Sequence, residues 1–413
     1  MSSPPAQAGR TARTPAATRP AVTVLSGLWP AATMAVARTL LAADPNLLVV
    51  RHELGAAPGG VVHRQVRDGS GIIEQAHVEL TRRCVTCTLR EDVLPTLARL
   101  ATTRPSSDIV LVLPDVVEPE AFAAACTQCR VDGAEITDLV RFDSYATVVA
   151  AEHLLDGLAS TDDLSHLGIN AAPDDDRALA DVIARQIEYA DTVVLWGEPP
   201  DGPFEAHRLG VLLHRLAPWA VHLRAGDQPT IDATSLAAQL RHTDRHRPET
   251  PGVLGRGLAG FPTGVHEPIP DCGIVSAVFR ARRPFHPYRL HAALDEIGAR
   301  VLRSRGHLWL ASQPDTVIGW QCAGGGIGMR ALGPWLTAVA DARWEQVGIH
   351  RRLAAALEWD PYYGDRHHNL VFIGVDFDPV DLHRLLSSCL VTDAELAEGE
   401  AGWRALPDPF AGC

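Results

Sequence analysis

Two pairs of cysteines have the spacing that binds metal ions or carries out thiol chemistry. Cys84 and Cys87 form one C-x-x-C pair and Cys126 and Cys129 form another, among eight cysteines in 413 residues. The sequence shows no sign of secretion, so free thiols or metal ligands are a better interpretation than disulfides. Thiolates at this spacing chelate Zn²⁺ readily. We therefore predict a metal site at Cys84 and Cys87, the structural alternative being a pair of buried or free thiols.

Two cysteines make only half of a zinc site, because tetrahedral Zn²⁺ takes four ligands. Candidates for the others are His77 and Glu79, or the second cysteine pair. That second pair falls within a predicted helix, where residues three apart share one face. His367 and His368 are also present, but adjacent residues on a loop or strand point apart, so we do not expect them to share an ion.

A second stretch has the outline of a phosphate-binding loop. The segment SGLWPAATMA follows the apolar run VTVL and leads into a helical pattern, as the motif G-x-x-x-x-G-K-[ST] does. The motif would start at Gly27. Ala32 then replaces its second glycine, Thr33 its lysine and Met34 its hydroxyl residue. The groups that neutralise phosphate and hold Mg²⁺ are therefore missing, and we predict no ordinary GTP hydrolysis. Thr33 is instead expected to cap a helix that begins near Met34.

Short β-rich runs alternate with helical stretches over the first half of the chain. Near-continuous Val and Leu strands separated by helices predict βαβ units and a parallel sheet covered on both faces. A stretch rich in Pro, Gly and charge follows, and beyond it strands and helices in mixed order predict an α+β domain. We expect a disordered tail over 1–20, an α/β domain over 21–245, a linker over 246–270 and a second domain over 271–413.

The composition is that of an ordinary globular protein, with 46% hydrophobic and 21% charged residues. No run approaches the roughly 20 apolar residues of a membrane helix, and the acid-free N-terminus lacks the apolar core of a secretory signal. We therefore expect a cytoplasmic protein without membrane contacts. All 37 basic residues are arginine, which excludes lysine as a Schiff base or general base.

The charge is distributed unevenly along the chain. A net charge of −13 argues against a protein that binds nucleic acid over its whole surface, and we expect no direct sequence-specific contact with nucleic acid. Residues 271–352 are an exception, with 11 arginines against 6 acidic residues, beginning with Arg280, Arg282 and Arg283. Two interpretations stay open: a solvated face, and a patch that binds RNA phosphate locally.

Several segments resemble, in the same order, those of one known family. They read FRARRPFHPYRLHAAL, RGHLWLAS, GDRHHNLVFIGVDFDPVDL, CLVTDAELAEG and WRALPDPF. They are similar to the C-terminal domain of CobW-type metal-chaperone GTPases. In the N-terminal half, VELTRRCVTCTLREDVL stands where that family has a C-x-C-C metal motif, with Cys84 and Cys87 at its first and last cysteines and Thr86 at the middle one. The switch segment reads PDVVEP, with Asp115 at the usual glycine, and WGEP stands in place of the guanine-reading N-K-x-D.

The resemblance implies a P-loop-NTPase-like parallel-sheet domain followed by an α+β CobW-type C-terminal domain. An intact CobW-type C-terminal domain, a single C-x-x-C at the position of the family's metal motif and an eroded nucleotide site together resemble the branch that recruits hibernation factors to the ribosome. This implies a zinc-responsive, non-enzymatic adaptor whose partners are the ribosome and a hibernation factor. The alternative is a zinc metallochaperone of the same family with an altered nucleotide site. Zinc is the implied metal, and GTP is not expected as a cofactor.

Overall fold

An eight-stranded sheet forms the centre of the N-terminal half in the computed structural model, which describes residues 19–54, 60–226 and 232–411. The predicted tail lies outside these residues except for positions 19 and 20. The strands of this half, including a separate hairpin of β6 and β7, are β1 Ala21–Ser26, β2 Leu48–Leu54, β3 Val61–Asp68, β4 Gly71–Glu79, β5 Ile109–Val112, β6 Arg130–Val131, β7 Ala134–Glu135, β8 Arg141–Ala150, β9 Thr192–Trp196 and β10 Val221–Ala225. The sheet order is β10-β9-β8-β1-β5-β2-β3-β4.

Helices cover both faces of this sheet, as the apolar strands predict. They are α1 Pro30–Ala43, α2 Val85–Thr88, α3 Leu94–Thr103, α4 Pro119–Gln128, α5 Ile136–Leu139, α6 Leu154–Ala159, α7 Leu179–Tyr189, α8 Gly202–Leu216 and α9 Ala233–Leu240. Alternate residues of β5 show the two faces, because side chains alternate along a strand. Ile109 and Leu111 pack with α3 and α4, whereas Val110 and Val112 pack with α1 and α9.

The edge hairpin β3–β4 was not predicted. All strand pairs from β10 to β2 are parallel, and β3 and β4 then add two antiparallel strands beyond β2. Much of β4 is exposed, with Ile72, Gln75 and His77 open to solvent. Its mixed polar sequence therefore lacks the apolar face that marks the central strands.

The C-terminal half contains a six-stranded sheet in the order β11-β12-β16-β13-β14-β15, with every pair antiparallel. Its strands are β11 Glu267–Asp271, β12 Ile274–Ala281, β13 Arg303–Leu308, β14 Thr316–Ala323, β15 Gly326–Pro334 and β16 His368–Val375, and its helices are α10 Pro287–Gly298, α11 Ile349–Leu357, α12 Pro379–Ser388, α13 Asp393–Ala397 and α14 Gly399–Arg404. One face packs on α10 and α12 through a core that includes Phe279, Trp320 and Phe372. The predicted fold class, a parallel α/β domain followed by an α+β domain, is confirmed.

The second face of the C-terminal sheet packs against the N-terminal domain. Ile274, Val371 and Ile373 share an apolar core with residues of α7 and α8. At the same interface Arg303 and Arg305 of β13 reach the buried carboxylate of Glu188 on α7. Apolar packing and a buried ion pair therefore fix the two domains together.

The segment predicted as a linker runs along the domain interface. It contains two short 3₁₀ turns, Val253–Gly255 and Gly257–Ala259. Between them the guanidinium carbon of Arg256 lies 3.9 Å from the ring centre of Trp219, which is a cation–π distance. Among the helices of the described residues, none has the length and apolar character needed to cross a membrane.

Candidate functional site

The first turn of helix α1 fills the loop that follows β1. Helix α1 begins at Pro30, with Trp29 as its N-cap and no side-chain cap. The backbone N–H of Thr33 donates to the carbonyl of Trp29 at 3.1 Å, and the Thr33 hydroxyl donates to the same oxygen at 3.2 Å. The prediction that Thr33 caps a helix starting near Met34 is therefore wrong: the helix starts three residues before Thr33, because proline is well suited to the first helical position.

The position of the phosphate-binding lysine is filled by a buried hydroxyl group. Thr33 is 1% exposed. A Cβ atom placed on Gly27 would lie 2.7 Å from the Thr33 hydroxyl and 2.4 Å from the carbonyl oxygen of Val148. Only glycine fits at position 27. In this chain it makes room for Thr33 and Val148, whereas in a phosphate-binding loop it makes room for the phosphate. A phosphate site needs successive backbone N–H groups turned toward the ligand and a cation beside them, and this loop offers no cation.

A cleft of about 500 Å³ remains beside the loop, at the carboxyl ends of the parallel strands. Leu28 and Pro30 line one side, and its charged lining residues are Arg51, Glu53, Arg83 and Asp115. The carboxyl edge of a parallel sheet is where such folds bind ligands. Of these residues only Asp115 stood out in the sequence. The signal for the others was available, because β2 carries Arg51 and Glu53 to the same edge.

Both arginines of the cleft already have partners within the protein. Arg51 forms an ion pair with Glu53, and Arg83 donates to the backbone oxygen of Asn170 at 2.8 Å. Burial raises the pKa of Asp115 to about 6; Glu53 also raises it, and the Arg51 charge opposes them. The cleft thus presents two arginines against two carboxyl groups. It does not supply the excess of positive charge that a nucleoside triphosphate with Mg²⁺ requires.

The positions of the other two nucleotide motifs also serve structural roles. Glu118 of the switch segment is buried and accepts a hydrogen bond from Arg177 at 2.6 Å. At the guanine-reading position, the N–H of Gly197 donates to the Ala225 carbonyl at 2.8 Å, and Glu198 pairs with Arg224 on the surface. The residues present do not fit GTP.

The Cys84–Cys87 pair forms a tight helical turn. Cys84 is the N-cap of α2, and its Sγ accepts a hydrogen bond from the backbone N–H of Cys87 at 3.1 Å. A π-helical turn, Leu89–Val93, follows and leads into α3. Such turns are frequent at functional sites. The N–H of Thr81 donates to Glu91 at 2.8 Å, which ties the chain before the cysteines to this turn. The two thiols are therefore held together before any metal binds.

Both thiols of this pair are half-buried and so remain accessible. The pKa of Cys87 is raised to about 11, chiefly by burial and also by its hydrogen bond with Cys84 and the nearby charge of Glu91, while the charge of Arg90 opposes the rise. At neutral pH the Cys87 thiol is protonated. A metal ion must displace this proton, because the thiolate is the ligand form.

The other predicted ligands do not join this pair. His77 lies on β4, where its ring centre is 4.3 Å from that of His63 on β3, and Glu79 ends β4. In the described ranges, neither they nor the second cysteine pair form a group of three or more potential ligands with Cys84 and Cys87. The prediction that Cys126 and Cys129 share a helix face is wrong, because α4 ends at Gln128 and Cys129 is its extended C-cap. Cys126 is 2% exposed, and burial raises its pKa strongly, which suits a core thiol.

His367 and His368 point apart, as predicted. The Nε2 of His367 lies 3.1 Å from the Nε2 of His307. The Nε2 of His368 lies 2.8 Å from the carbonyl oxygen of Arg283. Each imidazole therefore has a separate environment.

Most arginines of the basic segment are bound within the protein. Arg303 and Arg305 are buried at the domain interface, Arg283 pairs with Asp393 at 2.7 Å, and Arg289 pairs with Glu395 at 2.6 Å. Arg280 is exposed. The exposed basic patch is therefore smaller than the number of arginines in residues 271–352 suggests.

Two family models match the chain, one on each domain. The CobW/HypB/UreG nucleotide-binding domain matches residues 53–196, and the cobalamin synthesis protein cobW C-terminal domain matches residues 274–390. The first match begins after β1 and the start of α1, so it does not include the closed loop.

The chain is also similar to named proteins over most of its length. It is 35% identical over 378 residues to a protein of Mycobacterium tuberculosis named as a zinc chaperone, covering 88% of this chain and 86% of that one. It is 28% identical over 342 residues to zinc-regulated GTPase metalloprotein activator 1 of Dictyostelium discoideum, covering 81% and 70%. The crystal structure of Zn(II)-bound YjiA GTPase from E. coli is 16% identical, covers 90% of this chain and 99% of that one, and has a TM-score of 0.37.

Proposed function

Because this chain belongs to the family of CobW/HypB/UreG nucleotide-binding proteins with a cobW C-terminal domain, we propose that it is a zinc metallochaperone that works without ordinary GTP hydrolysis. The observation that carries the proposal is the turn at Cys84 and Cys87. It holds two accessible thiols together on a domain whose phosphate loop is filled by its own side chains. The names of the relatives, which refer to zinc, support this function over the ribosome adaptor.

Zinc is the cargo in this proposal, and the chain supplies its ligands. Cys84 and Cys87 bind the ion as thiolates, and water or the acceptor's own ligands complete the tetrahedron. Two protein thiolates with open positions allow an incoming ligand to attack before the first ones leave. An incomplete site is therefore suited to transfer, whereas a closed four-cysteine site is suited to structure.

GTP with Mg²⁺ should give no saturable binding and no hydrolysis at micromolar concentrations. The physical reason is the filled loop: Thr33 occupies the lysine position, Arg51 of the adjoining cleft is paired with Glu53, and Arg83 is hydrogen-bonded to the backbone. Isothermal titration calorimetry with Mg·GTP, and with Mg·ATP for comparison, measures this. A saturable one-to-one isotherm would contradict the prediction.

Recruitment of a hibernation factor to the ribosome stays a prediction and is our second candidate. Its support is the exposed Arg280; Arg282 and Arg283 lie nearby on the chain but are half-buried and bound to Glu358 and Asp393. Phosphate contacts are sensitive to salt, so we expect association with ribosomes at low salt that weakens when all three are changed to Glu. Cosedimentation at two salt concentrations measures this. Equal sedimentation of wild type and variant would remove this patch from the interaction.

A further inference from the structure

Three metal-binding side chains meet at the boundary between the two domains, far along the chain from the C-x-x-C pair. They are His207 on α8, Asp271 at the end of β11, and Cys272 in the turn that follows. One ligand atom from each lies within 4.8 Å of the others, and no other such group occurs in the part of the chain that the structure describes. His207 and Asp271 are exposed, and Cys272 is half-buried.

An ion pair also links helix α8 to strand β11, at the end of these two elements opposite to the three ligands. Arg215 on α8 forms an ion pair with Glu267 at the start of β11, and Arg215 is nearly fully buried. From His207 to Arg215 the helix rises about 12 Å, and from Asp271 back to Glu267 the strand spans about 13 Å. The two elements thus lie side by side with matched lengths. The Arg215–Glu267 pair at one end holds the three ligands together at the other.

The turn that carries the thiol is a tight β-hairpin. Asp271 pairs with Ile274, which leaves a two-residue loop of Cys272 and Gly273 with φ angles of 49° and 77°. Both values are left-handed, as a type I′ turn requires, and Asn or Gly is the usual residue there. Cysteine is an uncommon choice at such a position. The backbone of Gly273 also accepts a hydrogen bond from the N–H of Asp376 at 2.9 Å, which anchors the turn to the end of β16.

We propose that His207, Asp271 and Cys272 form a second Zn²⁺ site that bridges the two domains. Imidazole nitrogen, thiolate sulfur and carboxylate oxygen are the three ligand types of protein zinc sites, and three protein ligands leave the fourth position open. Mg²⁺ and Ca²⁺ prefer oxygen ligands alone, so the thiol and imidazole favour zinc over them. The site rests on this geometry and does not depend on the proposed function of Cys84 and Cys87.

Occupancy of this site would have two consequences. The ion would link α8 of the N-terminal domain to the β11–β12 turn of the C-terminal domain. A ligand that binds the folded chain but not the unfolded chain stabilises the folded state. Because two ligands are exposed and one position is open, the ion can exchange with solvent and with other ligands. We therefore expect the apparent Tm of the protein to rise with added Zn²⁺ even when the C-x-x-C pair is absent.

Cobalt titration tests the site, because Co²⁺ replaces Zn²⁺ and absorbs light. The parent for the test is the full chain with Cys84→Ser and Cys87→Ser, so that the C-x-x-C pair at these positions contributes no thiolate. We expect it to bind one Co²⁺ with a thiolate-to-metal charge-transfer band that Zn²⁺ displaces. Adding Cys272→Ser should abolish that band, and adding His207→Ala should weaken Co²⁺ binding at least about tenfold.

Two matched variants serve as controls in the same parent. His214→Ala removes an exposed histidine seven residues further along the same helix, and Cys129→Ser removes a half-buried thiol elsewhere. Neither should change the titration, and circular dichroism checks that every variant is folded. The proposal is overturned if the parent binds no Co²⁺ at micromolar concentration, or if the charge-transfer band persists after Cys272→Ser. Because the parent lacks Cys84 and Cys87, either result leaves the proposed function untouched.

Discussion

Changing Cys84 and Cys87 together to serine should weaken Zn²⁺ binding at this pair by more than about a hundredfold. This exceeds the loss expected for a residue that only orients a metal ligand. The thiolates supply the ligand bonds. Serine retains an oxygen that can cap α2 in place of the Cys84 sulfur, so the turn and the fold should persist. Competition with a chromophoric zinc chelator measures the affinity. His207→Ala is included in both proteins, so that the second proposed site does not contribute.

The pH dependence of this binding follows from the thiols. The pKa of Cys87 is raised to about 11, chiefly by burial, so a proton must leave when zinc binds. Affinity should therefore fall as pH decreases, by up to about tenfold per pH unit for each protonated thiol. The matched control is the double variant Cys126→Ala and Cys129→Ala, which should bind as wild type does. Equal zinc affinity in wild type and the Cys84/Cys87 variant would place the metal elsewhere.

The variant Glu188→Ala should lower the free energy of unfolding by about 3–5 kcal/mol, the range for breaking a buried ion pair by removing one partner. Glu188 accepts two hydrogen bonds from Arg303, each of 2.7 Å, and a third from Arg305. All three side chains are at most 1% exposed. Without the carboxylate, Arg303 keeps Asp181 as a partner, while Arg305 keeps backbone oxygens and the ring of Trp219 but no charged partner among the described residues. Chemical denaturation of the full chain measures the loss.

An exposed pair provides the control for this prediction. Glu198 and Arg224 lie 3.3 Å apart with side chains 61% and 54% exposed, and Glu198→Ala should cost no more than about 0.5 kcal/mol. Burial alone would raise the pKa of Glu188, but the charges of Arg303 and Arg305 outweigh it and lower that pKa. The stability from Glu188 is thus present above the usual glutamate pKa and is lost as pH falls through the lowered value. A loss below about 1 kcal/mol in Glu188→Ala would show that the pair does not hold the domains together.

The sequence predicts the central elements because burial on both faces selects apolar residues. Strand β9 and helix α7 lie within the runs DTVVLWG and LADVIARQIEYA, whose patterns predict a strand and a helix. Hairpin β3–β4 was missed because it is an edge with exposed polar residues, so no apolar periodicity marks it. The end of α4 was placed too late, because nothing in the local sequence stops the helix before Cys129.

The candidate sites differ in the same way: some leave a local signal in the sequence and others do not. Cys84 and Cys87 could be found from their spacing, since neighbouring ligands on one turn leave a local signal. The ligands His207 and Asp271 could not, because they come from different domains and no sequence pattern relates them. Glu188 and Arg303 are 115 residues apart, and only the fold shows that they are partners. The closure of the nucleotide loop lies between these cases: the missing lysine and the proline that starts α1 are both visible in the sequence, but the contacts of Thr33 with Trp29 and Gly27 are seen only in the fold.

Transfer of zinc from the loaded protein to a metal-free zinc-finger peptide is the decisive test of zinc delivery by Cys84 and Cys87, because the peptide folds as it takes up the ion. The protein is loaded with one Zn²⁺ in the His207→Ala background, so that the ion occupies the C-x-x-C pair. We expect the transfer rate to rise with peptide concentration, since the acceptor's ligands attack the open positions of the bound ion. We also expect the rate to be the same with and without Mg·GTP. A rate independent of peptide, or transfer that occurs only with Mg·GTP, would contradict these expectations.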